Sequence, residues 1–585
     1  MFPAMRYLRM MTNAVAGGVL VSTYVAVLIA QLNPQMPLVS MTAVQWLGAV
    51  LAFYAPYLSV ALLFTLLVGE VIAGRALRPA WISVRVLAWI GAFGAAGAAV
   101  ITWANLGLAR GMLTPIAALR MRDGAWTTTG CAAVLLVVAI ARYSFGRRGS
   151  RMAATLMMAA MIGSVAGPLW LRGPGEAPVR PPHRWLQPPP IAKAPRVRLL
   201  VFEGASLGFI RQRVAAGQLS NLGRMLDHGA VLDLATIRPT QVDPVWVAAA
   251  TGKAAEQNGI RSNWIFRVTD ADTDVIDMLP DYCLAQGLID QRFIRAVEPT
   301  SASLQARPLW DVLGDYGVTS GVVNWPLTYP AHARIGYVLS ERFDDAAQSS
   351  PLRLADANAG DPTTAVDAAR EIFDAWQARP WYQVLTTFSR GEVEPMEVDR
   401  ARWDRAYSET AESLEEQFAL RFSAIRYEGL DAFGHIYLRQ AQPDLFGDPR
   451  WAAPQRPVLD RYYSYLDGEV GKAMRQLAPG DLLIVMSGFG MEPTLLWKRL
   501  VARVLGERDM TGQHESGPDG FLLAYGTNVA SGQFPRGSVT DLAPTVLYYM
   551  GVPVGRDMDG FARTDLFLPT YAIEHPVKYV ASHEK

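Results

Sequence analysis

Five apolar stretches crowd the first 171 residues, at roughly 14–32, 44–72, 82–106, 127–141 and 152–171. Most of them approach the ~20 residues that an α-helix needs to cross a bilayer, and the fourth is short. No clear small-residue cleavage site follows the first stretch and four more apolar stretches do, so it reads as a span rather than a signal peptide. Up to Arg172 the chain carries 13 basic and 2 acidic residues. The basic ones sit between apolar runs, which is a membrane pattern and not a nucleic-acid footprint. With five spans, Arg6, Arg9, Arg75, Arg78, Arg147, Arg148 and Arg151 fall on one side and Arg110, Arg120 and Arg122 on the other. A count of seven against three puts the N-terminus in the cytoplasm and everything after Leu171 outside it, with the uncharged loop 33–40 also outside. The expectation is a multi-pass inner-membrane protein whose partner is the lipid bilayer.

Residues 173–195 contain Pro178, Pro181, Pro182 and the run Pro188-Pro189-Pro190, a composition that makes a semi-rigid extended spacer. The domains expected are therefore a transmembrane region over 1–172, a Pro-rich linker over 173–195 and a soluble domain over 196–585. From Arg196 short β-prone runs such as Gly321-Val322-Val323-Asn324-Trp325 and Asp481-Leu482-Leu483-Ile484-Val485-Met486 alternate with amphipathic stretches. That alternation predicts a layered α/β domain with a mainly parallel sheet. The polar stretch 346–364 reads as an inserted loop. Cys131 and Cys283 are the only cysteines, which argues against a disulfide framework and a cysteine metal site.

The run Leu199-Leu200-Val201-Phe202 reads as a buried strand that delivers Glu203 to its C-terminal end, where open α/β sheets build their sites. Asp243-Pro244 before the apolar run 245–250 predicts an N-cap and a first-turn proline, and so a helix N-terminus suited to an anion. Downstream stand Ala250-Thr251-Gly252, Asn258-Gly259-Ile260 and Asn263; Asp431-Ala432-Phe433-Gly434-His435; and Gly512-Gln513-His514 with Asp519-Gly520. This constellation resembles the type I phosphodiesterase/nucleotide pyrophosphatase branch of the alkaline phosphatase superfamily, from about Arg198 to about Phe567. The helix and strand around Leu309–Pro326 and the ending from Thr540 to Gly560 are similar to the family's packing and turn elements.

The resemblance implies an alkaline-phosphatase-like layered α/β fold and two zinc ions that bridge a phosphate. It assigns one ligand set, Asp431, His435 and His514, which is complete. The second set should hold an acidic residue after the first strand, a nucleophile two residues before Pro244, and a Ser-Asp-His-Gly run. At those positions stand Glu203, Val242 and Ser487-Gly488-Phe489-Gly490. Valine offers no nucleophile, Gly488 and Phe489 offer no ligand, and Glu203 alone could still coordinate. Asn263 stands where relatives donate a hydrogen bond to a phosphate oxygen.

Each residue has a structural alternative. The two histidines could be core residues, Asn263 could close a turn, and Glu203 could be a buried acid paired with an arginine. Thr240 as a displaced nucleophile requires a two-residue slip against Pro244, Gly252 and Asn263 together. The expected function is a membrane-anchored phosphodiesterase-like pseudoenzyme with one zinc, serving as a binding or scaffolding domain for a phosphate- or carboxylate-bearing ligand or a membrane protein partner. The alternative is a one-metal phosphoester hydrolase or transferase using water or a substrate hydroxyl. A transporter role ranks last, because few ionisable residues, Glu70 and Arg85 near helix ends, lie in the spans.

Overall fold

The computed structural model describes residues 3–73, 79–144, 151–175, 188–191, 194–269, 275–344, 358–385, 395–447, 458–496, 498–499, 503 and 510–584. Arg75, Arg78, Arg147 and Arg148 lie outside them, as do most of the Pro-rich spacer and of the polar loop 346–364. The chain divides into two compact units.

The first unit comprises Met1–Arg180 and Trp264–Glu298. It contains the helices α1 (Pro3–Leu32), α2 (Met41–Ala73), α3 (Val84–Ala109), α4 (Pro115–Ser144) and α5 (Arg151–Arg172). All five are long and apolar enough to cross a membrane, the signature of a multi-pass membrane protein. The fourth is much longer than hydropathy alone predicts. Arg120, Arg122 and Asp123 mask its first turns, yet no proline interrupts the sequence after Pro115. Arg172 is buried and donates to the carbonyls of Ala30 (2.8 Å) and Asn33 (2.7 Å), which closes the C-terminal end of α1.

Residues Trp264–Glu298 fall inside the stretch that the sequence assigns to the soluble domain, but they pack with these helices. They form an antiparallel hairpin, Ile265–Val268 with Ile294–Val297. Phe266, Ile276, Leu288 and Ile294 join Trp46, Val50, Phe53 and Tyr54 of α2 in one apolar cluster. At 33 residues α2 is ~50 Å long, well beyond the ~30 Å of a bilayer's hydrocarbon, so it has turns to spare for this packing. Asn33, fully buried, accepts from the N–H groups of Asp277 (3.2 Å) and Met278 (3.1 Å) and donates to the Met278 carbonyl (2.8 Å).

The second unit comprises Pro181–Asn263 and Pro299–Lys585. Its labelled strands are β1 (Val197–Phe202), β2 (Ala230–Ala235), β3 (Ser320–Trp325), β4 (Gly336–Ser340), β5 (Phe422–Tyr427), β6 (Leu482–Phe489) and β7 (Asp519–Tyr525). They lie in the order β2-β7-β6-β1-β5-β3-β4, with short strands at both edges. Strands β6, β1, β5, β3 and β4 run parallel and β7 runs antiparallel between β6 and β2. Every residue of β1 is buried, as a central parallel strand requires. Its side chains alternate between two cores. Leu200 and Phe202 face the helices α7 (Pro395–Phe418), α8 (Gly429–Ala441) and α9 (Val458–Arg475). Val197, Leu199 and Val201 face α6 (Val242–Thr251) and α10 (Leu542–Tyr549). The fold is therefore the layered α/β arrangement with a mostly parallel sheet.

Candidate metal centre

Two ligand candidates project from α8. Asp431 and His435 are four residues apart and so share a helix face, with Oδ2 of Asp431 3.3 Å from Nε2 of His435. The N-terminus of α8 is held by a residue without any sequence signal. The buried carboxylate of Asp404, on α7, accepts from the N–H groups of Glu428 and Gly429 (3.0 Å each) and from the Tyr462 hydroxyl (2.6 Å). Gly204, at φ +73°, ends β1 so closely over Asp431 that a Cβ would lie 2.9 Å from its Oδ1. His514 follows the strand pair Glu492–Pro493 and Gly512–Gln513, whose Gly512 lies directly against Gly434 of α8. One ligand atom each from Asp431, His435 and His514 lies within 4.8 Å of the others.

The donor set suits a metal ion. Nδ1 of His435 stands 2.8 Å from the Gly512 carbonyl and Nδ1 of His514 stands 3.1 Å from the Thr240 carbonyl. A carbonyl only accepts, so each Nδ1 carries its proton and Nε2 is the nitrogen through which each ring would meet a metal. Among the described residues Oδ1 of Asp431 is buried with no hydrogen-bond partner, a group that otherwise costs stability. Burial lowers the His435 imidazole, but the hydrogen bond and charge of Asp431 outweigh it and raise it to about 8. Burial pushes the Asp431 carboxyl up, yet His435, then His514 and Arg426, hold it below its ordinary value.

The second set is arranged otherwise. Glu203, 1% exposed, forms a tight ion pair with Nε of Arg426 on β5. Arg426 also donates to the Asn324 carbonyl (3.2 Å) and lies 3.6 Å from Glu428. Burial raises the Glu203 carboxyl even with the guanidinium beside it. The Phe489 ring packs between Trp246 and His514, with centroids 6.2 and 4.7 Å away. At Gly488 a Cβ would come 2.4 Å from Cγ1 of Val245. Val242 is half-buried against the α6 core.

The helix behind this site starts two residues earlier than the Asp-Pro pattern predicts. Val242 is its first residue, Gln241 is the N-cap, and Asp243 lies inside the first turn. The cap is supplied from elsewhere: Oδ1 of Asn263 accepts from the Asp243 N–H (3.0 Å), and the Asn263 N–H donates to Oε1 of Gln241 (2.9 Å). Thr240 is fully buried, which removes it from any substrate.

Residues 197–515, more than half of the chain, match the family described as Type I phosphodiesterase / nucleotide pyrophosphatase. A comparison with curated proteins finds no match. Among solved structures, murine ectonucleotide pyrophosphatase/phosphodiesterase 5 is 13% identical at a TM-score of 0.39, covering 64% of this chain and 100% of its own. The human protein of that name is also 13% identical, at a TM-score of 0.38, covering 64% of this chain and 99% of its own. A multiply substituted alkaline phosphatase PafA gives the same 13% and 0.38, covering 65% and 100%.

Proposed function

Because the chain belongs to the type I phosphodiesterase / nucleotide pyrophosphatase family, we propose that it is a membrane-anchored member that has given up the two-zinc covalent transfer and keeps a single zinc site for binding an anionic ligand. The observation that carries this reading is the contrast between the two halves of the site. Asp431, His435 and His514 converge, with one ligand atom each within 4.8 Å of the others, whereas Glu203 is taken by Arg426 and Phe489 fills space beside His514.

Zinc bound at the triad would polarise a phosphoryl or carboxylate oxygen and lower the pKa of a bound water to ~7. The two backbone carbonyls fix the imidazole rings, and Asp404 fixes the helix that carries two of the three ligands. Val242 has no oxygen to form a phosphoryl-enzyme intermediate. Loss of one oxyanion donor alone costs about 100- to 1000-fold, so the absence of nucleophile and second ion together leaves simple phosphodiesters and monoesters at background turnover. The ligand class is a phosphate- or carboxylate-bearing molecule, on the extracytoplasmic side.

Metal analysis of the purified full-length protein tests the reading. The expected result is one zinc per chain, lost in His514→Ala and kept in Glu203→Gln. Two tightly held ions would overturn it. Turnover by the unmutated protein that vanishes with His514→Ala would instead establish a one-metal hydrolase.

A further inference from the structure

The hairpin segment Trp264–Glu298 carries an apolar turn that no chemistry of the zinc site uses. Tyr282 is 64% exposed and Leu284 is 84% exposed. Between them Cys283 turns inward and, with Met278, packs on Leu28 and Leu32 of α1, Ala109 of α3, Leu113, and Ala117 and Met121 of α4. Asn105 locks the turn in place: its Oδ1 accepts from the Asp281 N–H (2.8 Å) and its Nδ2 donates to the Asp281 carbonyl (3.1 Å). Both flanking residues hold left-handed backbone, φ +63° at Tyr282 and +55° at Leu284, a conformation that non-glycine residues adopt only at a cost.

Asn105 lies one turn before the end of α3 at Ala109. A 26-residue helix is ~39 Å long, so its last turn stands at the border between hydrocarbon and headgroups. That is the depth at which a tyrosine ring is most favourably placed. We propose that the turn 282–284 is a second membrane contact, with Leu284 in the outer edge of the acyl region and Tyr282 among the headgroups. The occupant of this surface is lipid, because the turn is continuous with helices whose outer sides are apolar: Phe93, Val100 and Ile116 are 67%, 68% and 63% exposed. The inference rests on the reading of α1 to α5 as membrane spans.

The test uses the full-length protein in phospholipid vesicles, with Cys131→Ala and Cys283→Ala as background. A fluorophore is placed at Leu284→Cys, at Phe93→Cys within α3, or at Ile573→Cys, which is 80% exposed. Each is challenged with lipid carrying a nitroxide at a shallow or at a deep acyl position, and with aqueous iodide. The proposal expects residue 284 to be quenched by the labelled lipid and to show several-fold weaker iodide quenching than residue 573. Iodide quenching of 284 equal to that of 573 overturns it, as does shielding from both quenchers, which would mean a protein partner covers the turn. Residue 93 keeps the two readings apart: lipid quenching there without any at 284 sinks the turn contact alone, and none at 93 sinks the spans.

Discussion

A Cβ at Gly488 would stand 2.4 Å from Cγ1 of Val245, so an aspartate cannot simply be placed there. The variant Val242→Thr, Glu203→Asp, Gly488→Asp, Phe489→His should lose about 1–3 kcal/mol to overpacking at this one contact. Adding Val245→Ala should restore most of that in thermal unfolding, and only this five-fold variant should gain a second zinc. A second ion in the four-fold variant at undiminished stability would show that α6 yields freely. The Glu203–Arg426 pair sets a parallel limit. Arg426→Met strands a buried carboxylate and should cost about 3–5 kcal/mol, whereas Arg426→Met with Glu203→Leu should recover much of it. Denaturant unfolding of the two variants measures the difference. At this scale the sequence shows which residues are present: Asp431, His435 and His514, the valine at 242 and the acid at 203. It does not show which neighbour takes the acid, because Arg426 stands 223 residues away and reaches Glu203 only through the parallel pairing of β1 with β5.

Helix α8 shows the same boundary one level up. Its Asp-x-x-x-His spacing is legible, since 3.6 residues per turn puts both ligands on one face. Its cap is not, because Asp404 comes from α7 and replaces the local Ser, Thr or Asn that signals a helix start. The same holds for α6, where a local Asp-Pro pattern suggests one cap and Asn263, twenty residues on from the N–H it binds, supplies another. Burial raises the Asp404 carboxyl to about 7, against the hydrogen bonds from Tyr462, Gly429 and Glu428. In the unfolded chain the group titrates near ~3.9. The folded state therefore binds the extra proton between these values, and its stabilising contribution, complete below about pH 4, is lost as pH rises to about 7. Asp404→Asn should flatten this slope in unfolding experiments across pH 4 to 7. Asp404→Ala should loosen the first turn of α8, cost about 1 kcal/mol or more and weaken zinc binding. An unchanged slope in Asp404→Asn would assign the titration to another group.

For the whole molecule the sequence and the packing constrain topology through different physics. Apolar length and arginine bias supply the spans and their sense, seven arginines against three. The packing of Trp264–Glu298 enters neither count. Hydropathy reads residues 264–298 as part of a soluble domain, because their clustering with α1 and α2 rests on buried asparagines and scattered apolar residues without a run. Those contacts lie at Asn33, in the turn after α1, and at Asn105, near the end of α3. Both are on the side where α1 joins α2 and α3 joins α4. A segment that follows the last candidate span can reach that side only if the number of crossings before it is odd. Five spans satisfy this and four or six do not, independently of any charge. From the arginine bias we propose a cytoplasmic N-terminus with residues 196–585 outside. Reporter fusions after Arg151 and after Pro195 should then report opposite sides of the membrane, and Asn33→Cys should be joined to Asp277→Cys by a short thiol cross-linker in intact membranes. Reporters on one side would rule out five spans. Opposite reporters without the cross-link would keep the spans and refute the packing of residues 264–298 on them.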